Sequence, residues 1–284
     1  MEVKTYDELQ EYVEMFKTQN IDLLIIMSRG GLGKTTTLKN TLGKNDYVYI
    51  NTHSTPLRTF QLLYEKRDCP VIFDDIEHIL KNPTFVSLLK ALSDTSQVKE
   101  LHYSTTSKSI GSVPETFATA SNVCILVNEF SIKNPILAPL VDRGHYIEFN
   151  PSKEEIIKKI EEVAKSQSIA KSEMCVLDFI KENGNKIDKL SIRTYVKALQ
   201  LHTYDSSKWK ERFMQEIGFD EKAIQYLKLK SKYKTDNERI AHFKWSRATY
   251  FRVKQETENE DWKDSSTPVF ETAIIPAVIE AYEN

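Results

Sequence analysis

The sequence predicts an α/β protein: a parallel five-stranded sheet with helices on both faces, then a small α-helical lid domain and a C-terminal helix-turn-helix-like module. Three observations carry this reading. Short apolar runs alternate with helical periodicity through the first 150 residues. A glycine-rich loop, SRGGLGKTTTLKN at 28–40, lies between one such run and one such helix. After Pro151 the strand pattern stops and amphipathic helical spacing takes over. The expected divisions are 1–150, 151–206 and 207–284.

The strands are expected at 23–27 (LLIIM), 47–51 (YVYIN), 71–74 (VIFD), 123–127 (VCILV) and 145–149 (HYIEF). Near-continuous apolar runs of this length suit strands buried on both faces. Helical spacing between them covers 35–42, 57–65 and 84–92, and beyond Pro151 it covers 153–166, 171–183 and 191–203. Ser152 and Glu155 form a capping-box pattern ahead of 153–166.

Composition sets outer bounds. The chain has 284 residues, a formal net charge of −2 and 40% hydrophobic residues, so a sizeable core can form and any basic surface must be local. Cys69, Cys124 and Cys175 are odd in number and far apart, which suggests reduced thiols in a cytosolic protein rather than disulfides or a metal site. The N-terminal MEVKTYDELQEYVEMF is amphipathic and acidic, unlike a signal peptide. No apolar run approaches the ~18–20 residues of a membrane span, so no membrane partner is expected.

The loop at 28–40 fits G-x-x-x-x-G-K-[ST] at Gly33, Lys34 and Thr35, with Ser28 where the first glycine is expected. Gly30, Gly31 and Gly33 let the backbone curl on either side of Leu32, so that successive N–H groups of these four residues face phosphate oxygens. Lys34 can reach the terminal phosphates, and Thr35 and Thr36 begin a helix whose positive end favours anions. The Thr35 hydroxyl can ligate Mg²⁺. The plain alternative is a glycine-rich turn capped by threonine. A metal-side acid is also needed, and PVIFDDIEHIL at 70–80 supplies Asp74 for the metal shell and Asp75 to orient and deprotonate water. Its plain alternative is a strand ending in a solvated acidic turn.

At this point residues 20–205 resemble the AAA+ ATPase family, with SRGGLGKT similar to its Walker A and VIFDD to its Walker B. The resemblance implies ATP and Mg²⁺ as ligands and ATP hydrolysis as the activity. The family's second Walker B acid is usually Glu. Asp75 is one methylene shorter, which leaves slow hydrolysis open, with Glu77 as a fallback. The resemblance puts sensor 1 at Asn128, with LHYSTTS at 101–107 as a competitor and 97–118 as a hairpin or arm. It puts the arginine finger at Arg143, acting in a neighbouring subunit, against a plain Asp142–Arg143 surface pair. It puts sensor 2 at Arg193, on a helix capped by Ser191 with Leu190, Ile192, Tyr195, Val196 and Leu199 packed. A shared site implies a homo-oligomer.

Residues 222–254 hold ten Lys/Arg against two Asp/Glu, a local charge of 10 − 2 = +8. Two short helices are expected there, 238–243 capped by Asp236 and 247–255 capped by Ser246, with a tight join between them. Lys244, Arg247, Thr249, Tyr250, Arg252 and Lys254 would meet DNA phosphates and base edges. Aromatic residues among basic ones also suit single strands. The alternative is a charged face docked on the acidic tail, 257–284, which has seven Asp/Glu and one Lys. His53 is a lone loop histidine without metal-ligand spacing. Three functions stay open: a DNA-directed ATPase of a virus or mobile element, a protein-remodelling ATPase with a protein partner, and an ATP-binding assembly switch.

Overall fold

The computed structural model describes residues 1–43, 46–51, 54–76, 79–128, 138–166, 173–184, 187–217 and 221–259. The chain divides into two compact units, Met1–Glu155 and Ile156–Asn284. His53, Glu77 and the acidic tail beyond residue 259 lie outside the described residues.

The first unit is built on a six-stranded parallel sheet. Its strands are β1 (Glu2–Val3), β2 (Leu23–Met27), β3 (Val48–Asn51), β4 (Val71–Asp74), β7 (Val123–Val127) and β8 (His145–Phe149), in the order β1-β8-β2-β7-β4-β3. A separate antiparallel hairpin pairs β5 (Lys99–His102) with β6 (Thr116–Thr119). Every strand expected from sequence is present. The sixth, β1, is a two-residue addition beside β8, too short to leave a periodic signal.

Burial follows strand position. Central β4 and β7 are buried along their whole length, and β2 along all but its last residue. Edge strand β3 alternates. Phe60, Phe73, Phe85, Ile125 and Leu140 belong to one apolar core between the sheet and its helices. The helices are α1 (Tyr6–Lys17), α2 (Lys34–Leu42), α3 (Pro56–Glu65), α4 (Pro83–Leu92) and α5 (Ala138–Arg143). Pro56 and Pro83 sit in the first turns of α3 and α4, where a missing N–H costs nothing. A Thr5–Glu8 capping box starts α1, a motif whose cap is worth about 1 kcal/mol.

The hairpin lies against α3 and the core. Phe60 packs on Phe117 and Tyr103, and Gln61 donates from Nε2 to the Ile110 carbonyl at 3.3 Å. Buried Lys99 anchors the base of the hairpin, giving hydrogen bonds to Asp22 at 2.9 Å and the Ser121 carbonyl at 2.8 Å. A buried ammonium requires such partners. Between α5 and β8, a Cβ on Gly144 would stand 2.7 Å from the Leu23 carbonyl oxygen, so only glycine lets the chain pass β2 so closely.

The second unit is helical. It contains most of α6 (Lys153–Ser166), then α7 (Met174–Asn183), α8 (Ile192–Tyr204) and α9 (Trp209–Glu216). Trp209 packs on Phe179 and His202, and Phe213 on Phe179. The aromatic cluster therefore runs past residue 206, the boundary expected from sequence. The last three helices among the described residues, α10 (Glu221–Lys232), α11 (Asp236–His242) and α12 (Arg247–Asn259), enclose a small core of Tyr226, Leu229, Phe243, Tyr250 and Val253. Cys69, Cys124 and Cys175 are free thiols; Cys124 is buried and Cys175 exposed. Among the described residues, no helix is long and apolar enough to cross a membrane.

Candidate functional site

Strand order builds this site. β7 lies between β2 and β4, in register Met27↔Val127 and Asp74↔Leu126. The three strands end side by side. The loop after β2, the residue after β7 and the acids of β4 therefore converge, at the carboxyl ends of strands where open α/β sheets take ligands.

The loop has the backbone its glycines permit. Gly31 and Gly33 have φ of 87° and 80°, in the left-handed region that glycine tolerates. Gly33 is the N-cap of α2 and no side chain caps it, and a helix N-terminus of this kind favours an anion. Leu32 is buried, and its carbonyl accepts from the Tyr6 hydroxyl of α1 at 2.9 Å. Ser28 is buried, and its N–H donates to the Val127 carbonyl at 3.1 Å. At that position the chain is still paired to the sheet. Gly30 and Thr36 are exposed.

Lys34 is buried, and its ammonium donates to the carbonyls of Ser28 (2.6 Å) and Val127 (2.9 Å) and to Asn128 Oδ1 (3.1 Å). Thr35 Oγ1 donates to Asp74 Oδ2 at 2.8 Å. Asp75 has φ of 53°, uncommon for a residue with a side chain but tolerated by Asp, and such strain collects at functional sites. Its Oδ1 accepts from Asn128 Nδ2 at 3.0 Å. Asn128 thus joins the loop lysine to the second acid. The competing segment at 101–107 enters the hairpin, and its Tyr103 packs on Phe60.

Sequence reasoning missed Tyr6 and Tyr49, which fall in no motif. Tyr49 of β3 gives a 2.6 Å hydrogen bond to Asp74 Oδ2. Burial, followed by this bond and the Asp74 charge, pushes the Tyr49 hydroxyl well above the usual tyrosine range, so it stays a donor. A register argument could have found it, since Tyr49 lies two residues before Asn51, the partner of Asp74.

Thr35 and Asp74 offer only oxygen donors, and two of them. That suits Mg²⁺, which keeps much of its water shell and binds through one or two protein oxygens plus phosphates. Among the described residues, no group of three or more His, Cys, Asp or Glu could hold a metal ion alone.

Arg143 ends α5, is exposed, and donates from Nη1 to the Pro139 carbonyl at 3.3 Å. Its charge contributes to holding the Asp94 carboxyl below the ordinary range, after the Ser96 hydrogen bonds. Arg193 is exposed in the first turn of α8, whose cap is Ser191, accepting from Thr194 N at 3.1 Å. The buried face of α8 carries Thr194, Tyr195, Ala198 and His202. Val196, expected to pack, is 38% exposed because it falls outside that stripe.

The basic module departs from its sequence reading in several places. The cap of α11 is Thr235, in a capping box with Glu238, and Asp236 is its first helical residue. Asp236 instead ties the module together: it accepts from Arg239 (3.1 Å), Tyr250 (2.7 Å) and Lys254 (2.6 Å). Tyr250 is fully buried, so it cannot meet a base edge, and Lys254 is spent on an ion pair. Thr249 is half-buried, within 2.9 Å of the Ser246 hydroxyl. Lys244, Arg247 and Arg252 are exposed, and the Arg247 guanidinium lies 5.8 Å from the ring centroid of exposed Phe251.

The strand order, the lysine-bearing loop between β2 and α2 and the paired strand-end acids describe a parallel α/β fold with a P-loop-like strand–loop–helix at its centre. No family model matches the chain. A relative in Enterobacteria phage T4, described as an uncharacterized 36.7 kDa protein in the nrdC-mobD intergenic region, is 25% identical over 220 residues, or 68% of this chain and 67% of the relative. Among solved structures, the chain is similar to a mutant of RuvB from Thermotoga maritima, with TM-score 0.49, 16% identity and 88% of each chain covered. It is also similar to the Walker-type ATPase of Pyrococcus abyssi, with TM-score 0.44, 10% identity and 99% and 96% covered.

The Lys254 ammonium, followed by the Tyr250 hydroxyl, holds the Asp236 carboxyl below its usual range. A depressed folded pKa contributes stability above the unfolded value, about 3.9, and loses it as pH falls through the folded value. Asp236→Asn is therefore expected to lower the stability of the module near pH 7 by about 1 kcal/mol, the scale of a partly exposed ion pair. The gap between variant and wild type should close as pH falls through the depressed folded value. Thermal unfolding followed by circular dichroism across that range checks this.

Proposed function

We propose that this chain binds ATP with Mg²⁺ and hydrolyses it in an oligomer, and that its basic module couples the cycle to nucleic acid. The observation that carries the reading is the meeting of Lys34, the Thr35–Asp74 pair and the Asn128–Asp75 pair at three adjacent strand ends. On this reading the backbone of 30–34 and the Lys34 ammonium bind the phosphates. Thr35 and Asp74 hold Mg²⁺, which when bound supplies charge neutralisation between the phosphates. Asp75, oriented by Asn128, takes the proton of the attacking water. Arg143, exposed at the end of α5, suits a finger entering a neighbour's site, since a guanidinium stays charged and spreads its donors over phosphate oxygens. Arg193 is the corresponding candidate from the lid.

The basic module supports a nucleic-acid partner through charge: Lys244, Arg247 and Arg252 are exposed, and Arg247 lies beside exposed Phe251, a combination suited to phosphates and a base face. The phage relative supports action in the cytosol of an infected bacterium. A second reading, an ATP-dependent assembly switch with slow turnover, is favoured by the short Asp75 side chain held back on Asn128.

Lys34→Ala is expected to remove ATP binding in a fluorescent-nucleotide titration; undiminished affinity would sink the nucleotide reading. Arg143→Ala and Asp75→Asn should each be inactive alone but regain part of the ATPase rate when mixed, because mixed assemblies hold some intact sites. Steady-state assays at rising ratios test this. Lys244→Glu, Arg247→Glu and Arg252→Glu together should weaken DNA binding at least tenfold in 0.1 M salt and flatten its salt dependence, read by fluorescence anisotropy on single- and double-stranded oligonucleotides.

A further inference from the structure

Tyr49 lies outside every motif yet touches the acid at the centre of the site. Thr35 and Lys39 are four residues apart on α2 and so share one face. Thr35 Oγ1 and the Tyr49 hydroxyl both donate to Asp74 Oδ2, at 2.8 and 2.6 Å. Lys39 Nζ stands 3.8 Å from the centroid of the Tyr49 ring. Pairing of β3 with β4 sets Asn51 opposite Asp74, which makes Tyr49 its diagonal neighbour, within reach of a long aromatic side chain. Two elements therefore fix one carboxylate: α2 through Thr35, and β3 through a phenol whose ring is clamped from above by a cation.

A purely packing role would need the ring alone. The hydroxyl is aimed at a charged oxygen already satisfied by Thr35, in a half-buried position where a poorly directed polar group is costly. We propose that Tyr49 is a positioning residue for the divalent cation: its hydroxyl, with that of Thr35, engages Asp74 Oδ2 and so fixes the carboxylate with Oδ1 as the oxygen left for the cation. Lys39 holds the ring at the angle this requires. The inference rests on the nucleotide reading above.

Tyr49→Phe keeps the ring, its burial and the Lys39 clamp, and removes only the hydroxyl. The test is binding of a fluorescent ATP analogue to the full chain, titrated with Mg²⁺. The Mg²⁺ concentration for half-maximal binding should rise about three- to tenfold, the scale of the net contribution of one hydrogen bond. Affinity for the analogue in EDTA should stay within about twofold, a split that general loosening of the fold would not produce. Lys39→Met should raise the Mg²⁺ requirement about twofold in the same direction, and it carries the test should Tyr49→Phe fail to fold. An unchanged or lowered Mg²⁺ requirement in Tyr49→Phe, or in Lys39→Met where that variant carries the test, overturns the inference while leaving the nucleotide reading intact. Absence of Mg²⁺-dependent binding in the wild type overturns both.

Discussion

The insertion of β7 between β2 and β4 is the constraint on which the rest of the site depends. Had β2 and β4 been neighbours, the loop and the acids would abut directly and no side chain could bridge them. With β7 between them, Val127 offers its carbonyl to Lys34, and the next residue, Asn128, faces both ways. The two halves of the site are chemically unlike, a cation held by carbonyls on one side and two carboxylates on the other. An amide suits the position between them because it carries an acceptor and donors on one planar group. Parallel pairing fixes this arrangement through backbone hydrogen bonds.

Much of the fold was legible because its signals are local. The apolar runs of β2, β4 and β7 are continuous because those strands are buried on both faces, and this separates them from the alternating edge strand β3. The loop glycines, Lys34 and Thr35 announce themselves by spacing alone. What stayed hidden depends on three-dimensional neighbours. β1 is two residues long and exists because β8 offers an open edge. Tyr6 and Tyr49 read as ordinary amphipathic positions until Leu32 and Asp74 appear beside them. Lys99 looks like a surface lysine of a strand, yet it is buried against Asp22 and Ser121.

The basic module shows the opposite error, in which a plausible local signal gives the wrong side of a helix. Tyr250 and Lys254 are four residues apart and face inward together, because Asp236 of α11 gathers both. The same spacing turns Arg247 and Phe251 outward. A net charge counted along the sequence cannot separate the two faces. Part of the positive charge is neutralised within the module, while Lys244 and Arg247 are among its exposed basic residues.

On the proposed reading, the Asn128 bridge also bears on how nucleotide binding and hydrolysis are linked. The Lys34 ammonium is held by oxygens of the strand ends, and one of them is the Asn128 amide oxygen. Phosphate oxygens that draw the ammonium outward compete for that bond. Asn128 holds Asp75 through the other end of the same amide, so loosening one bond frees the other to reorient. Asp75 adds to this sensitivity: its backbone is in the left-handed region, and its side chain is one methylene shorter than Glu, which leaves little slack to follow a moving partner. On that reading, phosphate occupancy and the placement of Asp75 are linked through the Asn128 amide.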